Sequence, residues 1–156
     1  MGRYVILGPE DVVSPRIPPL TPEHRERLFA AAPQLAREAG YRLVVLFGSA
    51  ARGEPQPEDL DVGILADGAL DTVDATNRFV ALLHTDRIDV ADLRRADPVL
   101  LAVVARDGVA LFEARPGEFA RFCSLAMRRY ADTRHFRELQ HQHLLEQIER
   151  LKAETA

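Results

Sequence analysis

The sequence predicts an α/β (α+β) fold followed by a long helical segment at the C-terminal end. Short apolar runs typical of strands alternate with stretches whose apolar residues recur every three or four positions, as on one face of a helix. From Pro116 onward the helical spacing continues almost to the last residue. With 156 residues the chain has about the length of one domain.

The chain opens with a segment that we expect to be extended. Residues 1–21 contain four closely spaced prolines and one short apolar run, residues 4–7, which predicts a short edge strand and no more. Thr21, followed by proline and glutamate, fits the start of a helix. Pro33 is expected to kink or split that helix, and Gly40 is expected to end it.

Alternating strands and helices are predicted across the middle of the chain. The first apolar run has five residues without alternation, which is typical of a strand buried on both faces. A polar turn from Gly48 to Pro55 follows it. The predicted strands are Leu43–Phe47, Leu60–Leu65, Arg87–Leu93 and Val109–Phe112, and the predicted helices between them begin at Asp71 and Asp97.

The helical segment at the end of the chain carries two apolar stripes whose phase slips near Asp132 and Thr133, where a cap or bend is expected. One unbroken helix over residues 117–152 would be about 54 Å long, longer than a domain of this size is wide. The distal stripe is therefore expected to fold back or to pack on another chain. The stripes are Phe119, Phe122, Cys123, Ala126, Met127 and Tyr130, then Phe136, Leu139, Leu144, Ile148 and Leu151.

Composition excludes several classes of protein. The formal charge is −4, from 24 acidic against 20 basic residues, whereas a general nucleic-acid binder is normally basic, so no direct nucleic-acid binding is expected. A single cysteine excludes an intramolecular disulfide and a zinc site made of several thiolates. No apolar run reaches the roughly 18 residues of a membrane span, and the N-terminus does not resemble a signal peptide. A cytoplasmic protein with no membrane partner is expected.

Three aspartates lie on or beside predicted strands, where acidic residues are uncommon. Asp59 and Asp61 are spaced by two, which places both side chains on one face of a strand. Asp89 lies between Ile88 and Val90 in the next strand. Crowded carboxylates repel one another unless a cation lies among them, and Mg²⁺ prefers oxygen ligands of this kind. We therefore predict that Asp59, Asp61 and Asp89 bind divalent metal ions.

A candidate phosphate site precedes these aspartates. Gly48 lets the backbone approach a ligand closely, and the Ser49 hydroxyl and nearby amides can donate hydrogen bonds to phosphate oxygens. Arg52 adds a guanidinium suited to phosphate. A phosphate cradle beside an acidic metal site is what phosphoryl and nucleotidyl transfer require. Glu54 and Glu58, in the same loop, are expected to be solvated.

These residues resemble a known family. Gly48-Ser49, nine residues, then Asp59-Leu60-Asp61 is similar to the Gly-Ser-x9-Asp-x-Asp signature of the DNA polymerase β-like nucleotidyltransferase superfamily, with Asp89 in the place of its third carboxylate. The resemblance covers roughly residues 22–113, and the size is similar to that of the minimal nucleotidyltransferase (MNT) group. Ala50 stands where minimal members often have an arginine, and Glu58 where they often have a serine.

The resemblance implies a nucleotidyltransferase fold, a small mixed sheet flanked by helices. It implies transfer of a nucleoside monophosphate from a nucleoside triphosphate to an acceptor, with two Mg²⁺ ions and release of pyrophosphate. Gly48, Ser49 and Arg52 would then bind the nucleotide. Asp59 and Asp61 would bind both metal ions, and Asp89 would complete the catalytic site and help to activate the acceptor hydroxyl.

Many minimal members resemble antitoxins that transfer AMP from ATP to a tyrosine of a HEPN-domain ribonuclease toxin. The resemblance therefore implies an antitoxin in a hetero-oligomer with such a toxin. Its organisation would be an extended segment at 1–21, a nucleotidyltransferase domain at 22–115 and a partner-binding helical extension at 116–156. Two alternatives stay open: an antitoxin that acts by binding and occlusion alone, and a nucleotidyltransferase that modifies an antibiotic or another small molecule.

Overall fold

A computed structural model describes residues 18–155. These residues contain a mixed four-stranded sheet in the order β3-β2-β1-β4. β1 pairs antiparallel with both β2 and β4, whereas β2 and β3 are parallel. The predicted fold class is confirmed, and the short strand predicted at residues 4–7 lies outside the described residues. The strands are β1 (Tyr41–Phe47), β2 (Leu60–Ala66), β3 (Ile88–Asp92) and β4 (Val109–Glu113).

Six helices accompany the sheet within residues 18–155, and local signals explain several of their ends. Gly40 adopts a left-handed conformation and ends α1 as predicted. The side chains of Asp71 and Asp97 each accept two hydrogen bonds from the first free amides of the helices that they begin. The helices are α1 (Pro22–Ala39), α2 (Gly48–Ala51), α3 (Thr72–Leu83), α4 (Pro98–Asp107), α5 (Glu118–Asp132) and α6 (Arg134–Thr155).

Two local expectations need correction. Of the kink or split expected at Pro33, the split is wrong, since α1 runs unbroken from Pro22 to Ala39. Ala32 and Ala36, on either side of the proline, are both fully buried, so packing against the core favours the helix that proline alone would disfavour. The loop predicted as a polar turn from Gly48 begins with α2, a single helical turn.

The sheet is covered on both faces. One layer of the core lies between the sheet and helices α1 and α3, and includes Leu28, Val62 and Phe79. The other lies between the sheet and helices α4 and α5, and includes Val104 and Phe122. β1 is buried along nearly its whole length, which confirms the prediction of a strand buried on both faces.

The C-terminal segment contains two helices that differ in their surroundings. α5 ends at Asp132 and α6 begins at Arg134, so the break falls where the phase of the apolar stripe slips. α5 buries Phe122 and Ala126 in the core. α6 does not fold back, because every side chain from residue 138 to 153 is exposed. Among residues 18–155 no helix is long and apolar enough to span a membrane.

The junction between these two helices is held by Arg137. Its guanidinium lies 3.7 Å from the centre of the Tyr130 ring. It also donates hydrogen bonds to the backbone carbonyl of Tyr130, at 2.7 Å, and to the hydroxyl of Thr133, at 2.5 Å. The start of α6 is therefore attached to the end of α5 by contacts that cross the break.

Candidate active site

Sheet pairing places two of the three aspartates beside each other. In the parallel ladder between β2 and β3, Asp61 is the direct partner of Asp89. Side chains of directly paired residues in neighbouring strands project to the same face, and the strands are about 4.8 Å apart. On its other side Asp61 is paired with Phe47, the last residue of β1. The side chains of Asp61 and Asp89 therefore project side by side from the same face of the sheet, and Asp61 lies next to the turn that follows β1.

Gly48, the first residue of that turn, is required to be glycine for two reasons. Its φ angle is 69°, in the left-handed region that side chains disfavour. In addition, a Cβ atom at this position would lie 2.0 Å from Oδ2 of Asp61, far closer than any contact allows. The absence of a side chain at Gly48 is what lets the Asp61 carboxylate lie against the turn.

An open cleft of about 540 Å³ brings most of the predicted site together. Gly48, Ser49, Arg52, Asp59 and Asp61 all line it. Its remaining lining residues are Glu54, Gln56 and Glu58. Asp89 lies just beyond this lining, on the neighbouring strand. Four acidic side chains and a single arginine thus surround the cleft, so its own charge is negative.

The pKa of Asp61 reflects this crowding. Burial raises its pKa above the ordinary aspartate value, and the charges of Asp89 and Asp59 raise it further, while Arg52 opposes them. The three carboxylates therefore act on one another electrostatically. Among residues 18–155, however, no three histidine, cysteine, aspartate or glutamate side chains are gathered closely enough to hold a metal ion as they stand.

The donor set nevertheless fits a hard divalent cation. Carboxylate oxygens are the ligands that Mg²⁺ prefers. The raised pKa of Asp61 shows that its negative charge is poorly compensated within the chain, and a cation would compensate it. Asp59, Asp61 and Asp89 are thus the residues that could hold metal ions.

Arg52 is held by two acidic residues whose contact with it was not predicted. Its Nη2 donates to Oε1 of Glu54 at 2.7 Å, and its Nη1 lies 3.9 Å from Oδ2 of Asp107 at the end of α4. Arg106 in turn donates two hydrogen bonds of 2.7 Å to Asp107. Glu54 is half exposed, as expected of a solvated acid, but its ion pair with Arg52 was not predicted. Nothing in the local sequence links position 107 to position 52.

Residues that depart from the family pattern have clear places in the structure. Ala50 is 1% exposed and packs in the core, so a long charged side chain at this position would not reach the cleft without rearrangement. Glu58 is exposed, and its backbone carbonyl accepts a hydrogen bond from Arg87. Arg52 is therefore the cation that lines the cleft.

The sequence matches the family described as polymerase beta, nucleotidyltransferase, over residues 32–116. This range is more than half of the chain and contains every residue of the candidate site. No curated protein sequence gives a significant match.

Solved structures of toxin–antitoxin proteins have a similar fold. A toxin–antitoxin with AMP-PNP has a TM-score of 0.64 and 24% identity, over 72% of this chain and 94% of that one. An MNT antitoxin in complex with the tri-AMPylated HEPN toxin of Shewanella oneidensis has a TM-score of 0.64 and 22% identity, over 78% and 98%. The toxin–antitoxin MntA–HepT has a TM-score of 0.63 and 21% identity, also over 78% and 98%. At these identities the likeness shows a shared fold.

Proposed function

The chain belongs to the polymerase beta nucleotidyltransferase family, and from this premise we propose that it is an antitoxin that transfers AMP from ATP to a tyrosine of a HEPN-domain toxin. The observation that carries the proposal is the meeting of Asp61 with Asp89 on one side and with the Gly48 turn on the other. The choice of acceptor is supported by the similar structures, one of which contains a tri-AMPylated HEPN toxin.

The Gly48 turn is suited to bind the triphosphate of ATP. The positive φ angle of Gly48 turns the chain directly after β1, so that Ser49 lines the cleft beside Asp61. We assign the Ser49 hydroxyl and the guanidinium of Arg52 to the phosphate oxygens. Phosphate binding at Arg52 would compete with Glu54, which accepts a hydrogen bond from Nη2 of the same guanidinium.

Asp59, Asp61 and Asp89 are the residues that would hold two Mg²⁺ ions. When bound, such ions neutralise phosphate charge and stabilise the attacking and leaving oxygens. In the transfer, the tyrosine oxygen forms a bond to the α-phosphorus of ATP, the bond from that phosphorus to the bridging oxygen breaks, and pyrophosphate leaves. Asp89 is exposed beside Asp61, so its carboxylate is placed to take the proton of the tyrosine hydroxyl.

The helical extension at residues 116–156 is proposed to bind the toxin. α5 belongs in part to the core, whereas the apolar side chains of α6 are exposed, with Phe136 at 66% and Leu151 at 63%. Apolar side chains that are exposed together on one helix are typical of a surface covered by a partner. A hetero-oligomer with the toxin would cover them. A reaction that consumes ATP fits the cytoplasmic location expected from the sequence.

Labelled ATP distinguishes this proposal from its alternatives. The purified protein is incubated with ATP labelled at the α-phosphate, Mg²⁺ and a candidate HEPN-domain toxin. The proposal is supported if a toxin tyrosine becomes labelled and the label disappears in Asp61→Asn but not in Asp86→Asn. Asp86 is an exposed aspartate outside the cleft and serves as the control. Tight toxin binding without label, unchanged by Asp61→Asn, would indicate occlusion alone. Label on small molecules only would indicate a small-molecule transferase.

A further inference from the structure

A second cleft lies on the same sheet face as the candidate active site. It has a volume of about 230 Å³ and lies between α4, α5 and the ends of β2 and β3. Its wall is largely apolar and includes Leu93, Phe122 and Leu125, the last of which is 46% exposed. An engineered cavity of about 150 Å³ holds a benzene molecule, so this cleft has room for one leucine or phenylalanine side chain. We call it the α4–α5 groove.

Arginines surround the α4–α5 groove. Four of them line it, against a single acidic residue, Glu118. Glu118 is 4% exposed and is committed to ion pairs with two of these arginines, one carboxylate oxygen to each. The groove thus has a net positive charge although the chain as a whole carries −4. The four are Arg42, Arg94, Arg121 and Arg129.

Two of the four arginines have no carboxylate partner among the described residues. Arg42 and Arg121 share the single negative charge of Glu118, and Arg42 also lies 3.3 Å from Asp67. Arg94 donates to the backbone carbonyl of Asp67 at 2.8 Å, a contact that leaves its charge uncompensated. Within residues 18–155 neither Arg94 nor Arg129 forms an ion pair. Arg94 and Arg129 are both exposed and line the largely apolar cavity.

The position of the groove separates it from the chemistry. Leu65, which lines the groove, follows Asp61 by four residues on the same face of β2. At about 3.3 Å per residue this spacing is roughly 13 Å. A group in the groove would therefore lie on the same side of the sheet as the catalytic carboxylates without touching them. This arrangement suits a docking site for a large acceptor whose modified residue reaches the active site.

We propose that the α4–α5 groove docks the acceptor protein through a segment in which one large apolar side chain is flanked by carboxylates. The apolar side chain fills the cavity, and the carboxylates pair with Arg94 and Arg129. The charge of the groove selects an acidic segment, because elsewhere the negative charge of this chain would repel it. This inference rests on the proposed function, since it takes the HEPN toxin as the acceptor.

Charge reversal at Arg129 tests the proposal. Arg129→Glu is expected to raise the KM for the purified toxin at least tenfold, with kcat at saturating toxin and the Kd for ATP unchanged. Arg128→Glu is the matched control, because Arg128 is the next residue of α5, is exposed and does not line the groove. Leu125→Ser is expected to raise the KM severalfold without changing the charge. Equal KM values for the Arg128 and Arg129 variants would overturn the proposal.

The same variants separate this inference from the proposed function. If no AMP is transferred, the affinity for the toxin is measured directly, and a loss in Arg129→Glu alone would support the groove while the transfer reaction fails. If transfer occurs with an unchanged KM, the groove fails and the reaction stands. Binding of an RNA oligonucleotide is also compared between the wild type and Arg129→Glu. If only the wild type binds the RNA and the KM for toxin is the same in both, the groove is a nucleic-acid site and the proposal is overturned.

Discussion

Gly48→Ala is the substitution that most directly tests the link between the turn and the Asp61 carboxylate. A left-handed conformation at a residue other than glycine costs roughly 1–2 kcal/mol, and Gly48 has a φ angle of 69°. The new Cβ would also lie 2.0 Å from Oδ2 of Asp61. Since nonbonded heavy atoms pack at about 3.5–4 Å, the carboxylate has to move by more than about 1 Å.

Gly40→Ala separates the two effects. Gly40 has a φ angle of 71° but nothing within 4 Å of the added Cβ, so the substitution there costs only the strain of the backbone conformation. Both variants are expected to lose roughly 1–2 kcal/mol of stability, which corresponds to a fall in Tm of about 2–8 °C for a chain of this length. Only Gly48→Ala displaces Asp61, and a misplacement of 1 Å can slow a reaction about a hundredfold.

The assay is AMP transfer at saturating ATP, with thermal unfolding measured on the same samples. A fall of about one hundredfold is expected for Gly48→Ala, and a change within about twofold for Gly40→Ala, which keeps every group of the cleft in place. Equal transfer rates in the two variants would refute the reasoning, because they would show that the position of Asp61 does not depend on the missing side chain at Gly48.

Three further predictions concern charge and the C-terminal helices. Asp61→Asn is expected to abolish transfer and, without metal, to leave stability equal or higher by roughly 0–1 kcal/mol near pH 7. That gain in stability should vanish as the pH falls to the ordinary aspartate range, because the raised pKa of Asp61 makes the folded wild type bind a proton before the unfolded chain does. Urea titrations near pH 7 and in the ordinary aspartate range measure the difference between the two proteins. A large loss of stability in Asp61→Asn would contradict the prediction. Burial alone would raise the pKa of Glu118, but hydrogen bonds from Arg121 and Arg42 lower it. Glu118→Gln should therefore lose about 1.5–3 kcal/mol of stability at pH 7, and progressively less as the pH falls from the ordinary glutamate range through the lowered pKa. An equal loss of stability at pH 7 and at pH 3 would count against the ion pairs. Truncation after Thr133 should leave Tm and the Kd for ATP unchanged while weakening toxin binding at least tenfold in a pull-down titration; unchanged toxin affinity would remove α6 from the interface.

The candidate site was predictable where local spacing determines it. The separation of Asp59 from Asp61, and the position of Gly48 after an apolar strand, can be read from a few neighbouring residues. The pairing of Asp61 with Asp89 depends on the register between two strands that are joined through α3, and the spacing of residues along the chain does not specify that register. Resemblance to a family supplied this step.

Other features of the structure depend on packing between distant elements. The contact between Arg52 and Asp107 exists because the end of α4 lies near α2, and no local sequence pattern predicts that contact. Apolar periodicity located α5 and α6 and the break between them. The same periodicity did not distinguish Phe122, which is buried, from Phe136, which is exposed. An apolar stripe indicates that one face of a helix is apolar, but it does not indicate which surface covers that face.

The strand that carries Asp89 is one of the two edge strands of the sheet as described for residues 18–155. β3 has five residues and a single hydrogen-bonded neighbour, β2. Short strands held by one ladder fray before a protein melts as a whole. On warming, the Asp89 carboxylate, proposed to activate the acceptor, would therefore detach while the glycine turn and Asp61 remain in place. On the proposed function, loss of transfer activity would precede loss of fold, and the protein would stay bound to a toxin that it could no longer modify.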